Sequence, residues 1–229
     1  MRDFLILYVP PVIGMFILAG FLHARFLEFP KYRGWWGEYK VNFMLRLCLS
    51  GEYTVFANAI YRGKESDETT QVDHIVVSRF GVFVLETKSL KGRIFTVPDA
   101  QQPWIQIVGR RKYTVHNPLR QNYAHIKAIQ RVIGLHSQKM HSYVVVAGSA
   151  DFPDGLPERV YSIWGVVRKI QSYRTAVMSR GNAADISRAL NRRRVKGGYW
   201  AAQHHVARLK AQKAVRKAAD ADTGQSERQ

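Results

Sequence analysis

The sequence predicts an α/β fold, a mixed sheet flanked by helices, and three observations predict it. The runs QVDHIVV at 71–77 and VFVLETK at 82–88 are short, β-branched and separated by the turn residues Arg79, Phe80 and Gly81. That is the pattern of an antiparallel hairpin. The run YVVVA at 143–147 is continuously apolar, which suits an interior strand covered on both faces. Between them, Asn117-Pro118 opens a segment of helical periodicity, an Asn cap with Pro at the first helical position. Elements in this order build a sheet between helical layers.

Taken from the N-terminus, residues 4–22 read FLILYVPPVIGMFILAGFL, with no charged residue. At 1.5 Å rise per residue this run approaches the ~30 Å hydrocarbon thickness, so a transmembrane helix is expected, kinked at Pro10-Pro11. A signal peptide fits less well, because no small-x-small cleavage site follows. Arg25, Lys31 and Arg33 flank the inner end, against Arg2 and Asp3 at the outer end. Positive residues stay inside, so a single-pass protein with its body in the cytoplasm is expected.

Residues 37–49 predict a helix, with Val41, Met44, Leu45 and Cys48 at helical spacing. Strands are predicted at 52–61, 70–78 and 82–88, a turn at 90–92, and short strands near 93–97, 104–108 and 112–116. The helix opened by Asn117 carries the stripe Leu119, Tyr123, Ile126, Ile129 and Ile133, and Gly134 closes it. The interior strand follows at 141–147, then an edge strand at 160–163 and a short helix at 165–173. Asn182 to Asp185 resembles a capping box opening a helix toward Arg194. A last helix is predicted at 199–217 and a frayed tail at 218–229. The expected organisation is an anchor and flank at 1–30, an α/β domain at 31–150, a basic, mostly helical extension at 151–217 and a disordered tail at 218–229.

Composition narrows the function. The chain has 229 residues, 46% hydrophobic, with five Trp and one cysteine. This excludes a disordered chain, an intramolecular disulfide and a multi-cysteine zinc site. The net charge is +18. Residues 186–217 contain no acid, while Arg192, Arg193, Arg194, Lys196, Arg208 and Lys210 lie among the basic residues there. Such a block is an electrostatic footprint for phosphates, of nucleic acid or of anionic lipid.

The hairpin carries the chemistry. Asp73 interrupts one apolar strand and Glu86-x-Lys88 ends the next, and charge inside a strand is costly unless paired, hydrogen-bonded or bound to metal. Glu86 and Lys88 share a face, and the turn lets Asp73 come beside Glu86. Two carboxylates at one spot repel, and a hard divalent ion such as Mg²⁺, with Mn²⁺ as a substitute, resolves the repulsion. Lys88 would hold the attacking water or stabilise developing charge on phosphorus, and the Thr87 carbonyl could complete the metal shell. The competing reading is a buried Asp–Lys–Glu ion network. Glu38 sits on the flank of the first apolar stripe, aimed at the core rim or favourably placed near the positive helix end. His74 falls on the strand face opposite Asp73 and reads as a packing histidine; His116 and His125 carry no assignment.

The run T-x-Q-x-D-H-I-V-V-S-x-x-G-V-F-V-L-E-T-K-S-x-x-G-R-I from Thr69, the run N-P-L-x-Q-N from Asn117, and Gly37-Glu38 opening a helix together resemble the nuclease-related domain (NERD) family. The resemblance covers about residues 34–148. It implies a restriction-endonuclease-like PD-(D/E)xK core. Carried over, it implies catalytic roles for Asp73, Glu86, Lys88, Glu38 and Gln121, with Asp73, Glu86 and Glu38 as metal ligands. Gln121 rests on the resemblance alone, since the helical wheel sets it off the apolar stripe and Asn122 nearer to it. Three readings stand: a membrane-anchored Mg²⁺-dependent nuclease acting on DNA more than RNA, a non-catalytic nucleic-acid-binding or membrane-surface scaffold keeping the fold, and a lipid-facing interaction protein.

Overall fold

A computed structural model describes residues 30–62, 69–97, 101–135 and 139–196, with Ala19, Gly20 and Leu22 besides. The expected membrane helix at 4–22, the helix at 199–217 with Arg208 and Lys210, and the tail at 218–229 lie outside these residues, apart from Ala19, Gly20 and Leu22. Among the described residues no helix is long and apolar enough to cross a membrane.

The elements run α1 (Pro30–Cys48), β1 (Thr54–Arg62), β2 (Thr69–Ser78), β3 (Gly81–Lys88), β4 (Lys91–Phe95), β5 (Trp104–Val108) and β6 (Arg111–Val115). Then come α2 (Pro118–Ile133), β7 (Met140–Val146), β8 (Ser149–Asp151), β9 (Val160–Ser162), α3 (Ile163–Gln171) and α4 (Arg180–Arg193). Five strands form one sheet in the order β1-β2-β3-β7-β9, and four form a second in the order β6-β5-β4-β8. In the larger sheet β1, β2 and β3 are antiparallel, while β7 runs parallel to β3 and β9 parallel to β7. Mixed sheets flanked by helices fit a nuclease-like core.

Both faces of the larger sheet are covered. On one, Val72, Ile75, Val82 and Val84 pack with Ile126 and Ile129 of α2 and with Ile186 and Leu190 of α4. On the other, Val76, Phe83, Leu85 and Val145 pack with Val41 and Leu45 of α1 and with Val166 and Ile170 of α3. Burying each such side chain fully is worth ~1.5–3 kcal/mol, so the residues after 150 belong to the same cores as the hairpin.

Strand alternation slips once, in two strands together. Phe56 and then Ala59 and Tyr61 of β1 face the α2 core, as do Ile75 and then Val72 of β2. The break falls at Asn58, opposite Asp73 in the register between the Ala57–His74 and Ala59–Val72 pairs. Asn58 has a left-handed φ of 51°, a conformation that Asn tolerates better than most residues. The kink frees Asp73 from strict facing.

Several boundaries differ from the sequence expectation. The first helix begins at Pro30 rather than Gly37, because its extra turns lie on its exposed aromatic side and carry no apolar stripe. β4 begins at Lys91, inside the expected turn. The α4 cap is Ser179, whose hydroxyl accepts the Asn182 N–H at 3.0 Å, and not Asn182 itself. Tyr123 is exposed rather than part of the α2 stripe, and Asn122 takes the buried position. The three-residue β8 was not expected; it pairs parallel with β4, too short to leave a pattern in sequence.

Candidate active site

Asp73 stands at the end of the hairpin ladder. The last paired residues of β2 and β3 are His74 and Leu85, so Asp73 and Glu86 occupy the next, unpaired register position. There the Asp73 side chain replaces a backbone partner: its Oδ2 accepts the Thr87 N–H at 2.8 Å. Burial first, then the charges of Glu86 and Glu38, push the Asp73 carboxyl well above its ordinary range, against the Thr87 bond and Lys88. The hairpin thus brings Asp73 and Glu86 together, and α1 adds Glu38 to them.

Glu86 is almost fully buried. Lys88 Nζ lies 2.7 Å from its Oε1, and His125 Nε2 lies 3.2 Å from its Oε2. Burial works to raise Glu86, but the His125 ring and the Lys88 charge outweigh it and hold its carboxylate low. The Oε2 contact is close without being aligned, so this buried oxygen lacks a full hydrogen bond. An ionised, incompletely satisfied carboxylate oxygen is what a hard cation binds.

Two helices close the group. Glu38 of α1 is pushed up to about 7 by burial and by Glu86, with Lys88 opposing. Glu38 and Asp73 line one small cleft. From α2, Gln121 Oε1 accepts Lys88 Nζ at 2.9 Å. One turn on, His125 presents Nδ1 to the Thr70 hydroxyl at 2.9 Å and Nε2 to Glu86. All five expected site residues therefore meet at one end of the hairpin. His125 and Thr70 were missed; the available signal was the i, i+4 spacing of His125 from Gln121, which puts both on one helix face.

Asn122 fixes α2 in this position. It is fully buried, and the two N–H groups of its amide are shared among Val84 O at 2.8 Å, Tyr143 O at 3.0 Å and Ser142 Oγ at 3.0 Å. His74 is buried beside them: burial lowers it to about 4, with the Glu38 backbone opposing, and its ring faces the Thr87 hydroxyl at 3.4 Å.

The donor chemistry suits a hard divalent ion: three carboxyls, two of them pushed upward and one with a poorly satisfied oxygen. Among the described residues, however, no three His, Cys, Asp or Glu side chains converge on one point at metal-binding geometry. Lys88 and Thr87 instead occupy oxygens of Glu86 and Asp73.

The basic residues divide. Arg192 and Arg193 end α4 exposed to solvent, as does Lys196 just beyond. Arg194 is turned inward: its guanidinium donates to Ala57 O at 3.0 Å and Asn58 O at 3.2 Å, bracing the kink opposite Asp73.

With this geometry in place, comparison with known proteins gives the family. Residues 33–147, half of the chain, match the nuclease-related domain, and the chain belongs to that family. It is also similar to an uncharacterised protein of Bacillus anthracis, 43% identical over 105 residues. The match covers 45% of this chain and 48% of that protein, so it spans about half the relative's length. No solved structure matches the chain.

Proposed function

We propose that this protein is a membrane-anchored nuclease that hydrolyses phosphodiester bonds of nucleic acid, DNA before RNA, with Mg²⁺ or Mn²⁺. The observation that carries the reading is the meeting of Asp73, Glu86, Glu38 and Lys88 at the open end of one hairpin. A structural ion pair would need one acid and one base; three acids around a single lysine cannot all ionise without further positive charge, which a bound cation would supply. Asp73, Glu86 and Glu38 would hold the ion. When bound, it would polarise the scissile phosphate and make a bound water more acidic. Lys88, held by Gln121, would orient the nucleophile and stabilise charge developing on phosphorus. Thr70 and His125 would keep the Glu86 carboxylate in place.

A cleft of about 440 Å³ beside Thr70 supports a nucleic-acid substrate. Arg62, Lys127 and Arg131 line it, with no acid among its described lining. Cations on this side and at Arg192, Arg193, Lys196, Arg208 and Lys210 would contact phosphates, while Arg194 is spent on the Ala57 and Asn58 carbonyls. Residues 4–22 would anchor the chain with the nuclease domain on the cytoplasmic side, where the basic extension could also touch anionic lipid.

The test is cleavage of plasmid and single-stranded substrates by the detergent-solubilised full chain, with Mg²⁺, Mn²⁺ or EDTA. Activity with metal, absent in EDTA and in Asp73→Ala, is expected. Equal cleavage by Asp73→Ala and wild type would remove the assigned site. Among the described residues no three of these groups stand at metal-binding geometry, which favours a second reading, a non-catalytic nucleic-acid-binding or scaffold protein. Salt-dependent binding with no cleavage under any metal would establish it.

A further inference from the structure

We propose that Trp35 and Tyr39 form a stacking platform for unpaired nucleobases, so that the strand entering this site is single-stranded or locally opened. The inference takes its acidic site from the nuclease reading, but its binding step stands without cleavage.

Trp35, Tyr39 and Phe43 follow one another at four-residue spacing along α1 and are 53%, 48% and 53% exposed. The core takes the other side of the helix, through Val41, Leu45 and Leu49. These large rings therefore contribute little to folding, and an exposed aromatic row marks an interaction surface. Trp35 stacks on Tyr39 at 5.9 Å and 24°, and the neighbouring Trp36 stacks on Tyr39 at 5.3 Å and 14°.

Position gives the row its partner. Trp35 and Tyr39 line the same cleft as Glu38 and Asp73, together with Asn42, Asn58 and His74. Arg46 bonds Asn42 Oδ1, and Arg194 bonds the Asn58 carbonyl, so two guanidinium groups stand beside the cleft. Aromatic faces, carboxamides and cations in one place match base face, base edge and phosphate. A hydrocarbon surface could satisfy only the rings, and would leave the acids and amides unsolvated. The cleft holds about 130 Å³, below the ~300 Å³ at which ligand pockets begin. A base therefore rests on the rings at its mouth. A duplex keeps its base faces stacked inside and cannot use such a platform without opening.

The experiment is equilibrium binding by the full chain in EDTA, which prevents cleavage, using one sequence as single-stranded DNA, single-stranded RNA and duplex. Tight binding of either single strand over the duplex is expected. Trp35→Ala should weaken the single strand by about 5- to 150-fold, the range of one base–aromatic stack, while Trp35→Phe restores most of it and duplex binding stays constant. Quenching of a 2-aminopurine base in the strand by the wild-type chain reads the stack directly. Equal affinity for single strand and duplex overturns the proposal, as does single-strand binding unchanged in both Trp35→Ala and Tyr39→Ala. These binding results are independent of the Asp73→Ala cleavage assay, so either conclusion can fall alone.

Discussion

Lys88 on β3 and Gln121 on α2 are 33 residues apart in sequence, and their ammonium and carboxamide oxygen meet at 2.9 Å. The same ammonium reaches Glu86 at 2.7 Å. Gln121 therefore sets where the lysine charge sits relative to the acids. Gln121→Leu should leave the fold intact, because this side chain is only half-buried, yet lower the cleavage rate by about 10²-fold through misplacement of Lys88. Single-turnover kinetics with a thermal melt check this; an unchanged rate would reduce the contact to packing.

Stability should depend on pH through several buried groups of the site, of which Glu38 and His74 act in opposite directions. Glu38 rises from 4.5 to about 7 on folding, chiefly through burial. The native state then binds the extra proton, so this carboxyl destabilises increasingly as pH climbs from 4.5 toward 7. His74 falls from 6.5 to about 4, again through burial. Its contribution is complete above 6.5 and is lost as pH falls toward 4, roughly 3 kcal/mol in all. Glu38→Gln should therefore make stability rise more steeply with pH than in wild type, and His74→Gln less steeply. Urea midpoints between pH 4.5 and 7.5, without metal, measure both slopes; parallel profiles for Glu38→Gln and wild type would contradict the assignment.

Asn122 offers a stability test. Replacement by Leu strands the buried carbonyls of Val84 and Tyr143, which now accept its amide. A loss of about 2–4 kcal/mol is expected, since each unsatisfied buried group costs ~1–3 kcal/mol. Urea unfolding should show a lower midpoint with the same slope. A cost under about 0.5 kcal/mol, the range of ordinary surface changes, would mean that the helix is held elsewhere.

Divalent metal should stabilise the chain. At about 100 times its dissociation constant a bound ion adds ~2.7 kcal/mol, which for a domain of this size raises Tm by roughly 5–10 °C. Asp73→Asn should lose that shift. An equal Mg²⁺ shift in the variant and in wild type would take Asp73 out of the ligand set.

Much of this site was legible because strands expose their logic. Asp73, Glu86 and Lys88 stand out where β-branched alternation should exclude charge, and the turn between them fixes their approach. The Asn117 cap was legible for a similar reason: its side chain accepts the Leu119 N–H at 3.0 Å, a local bond between near neighbours. What escaped depended on distant partners. Gln121 lies off its helix's apolar stripe because it faces a lysine and not the core. Asn122 is buried although polar, because three acceptors from β3 and β7 surround it. His125 becomes interpretable only once Thr70 and Glu86 are known to flank it. The kink at Asn58 has no sequence signal beyond an Asn in a strand.

The family match ends at residue 147, but Val166, Val167 and Ile170 complete one face of the sheet, and Ile186 and Leu190 complete the other. The stretch that matches the family is thus shorter than the stretch whose side chains build the two cores. A chain ended at Ala147 would keep every acid of the site and lose the walls that hold them. Such a fragment would leave the apolar side chains of both sheet faces that these residues cover open to water.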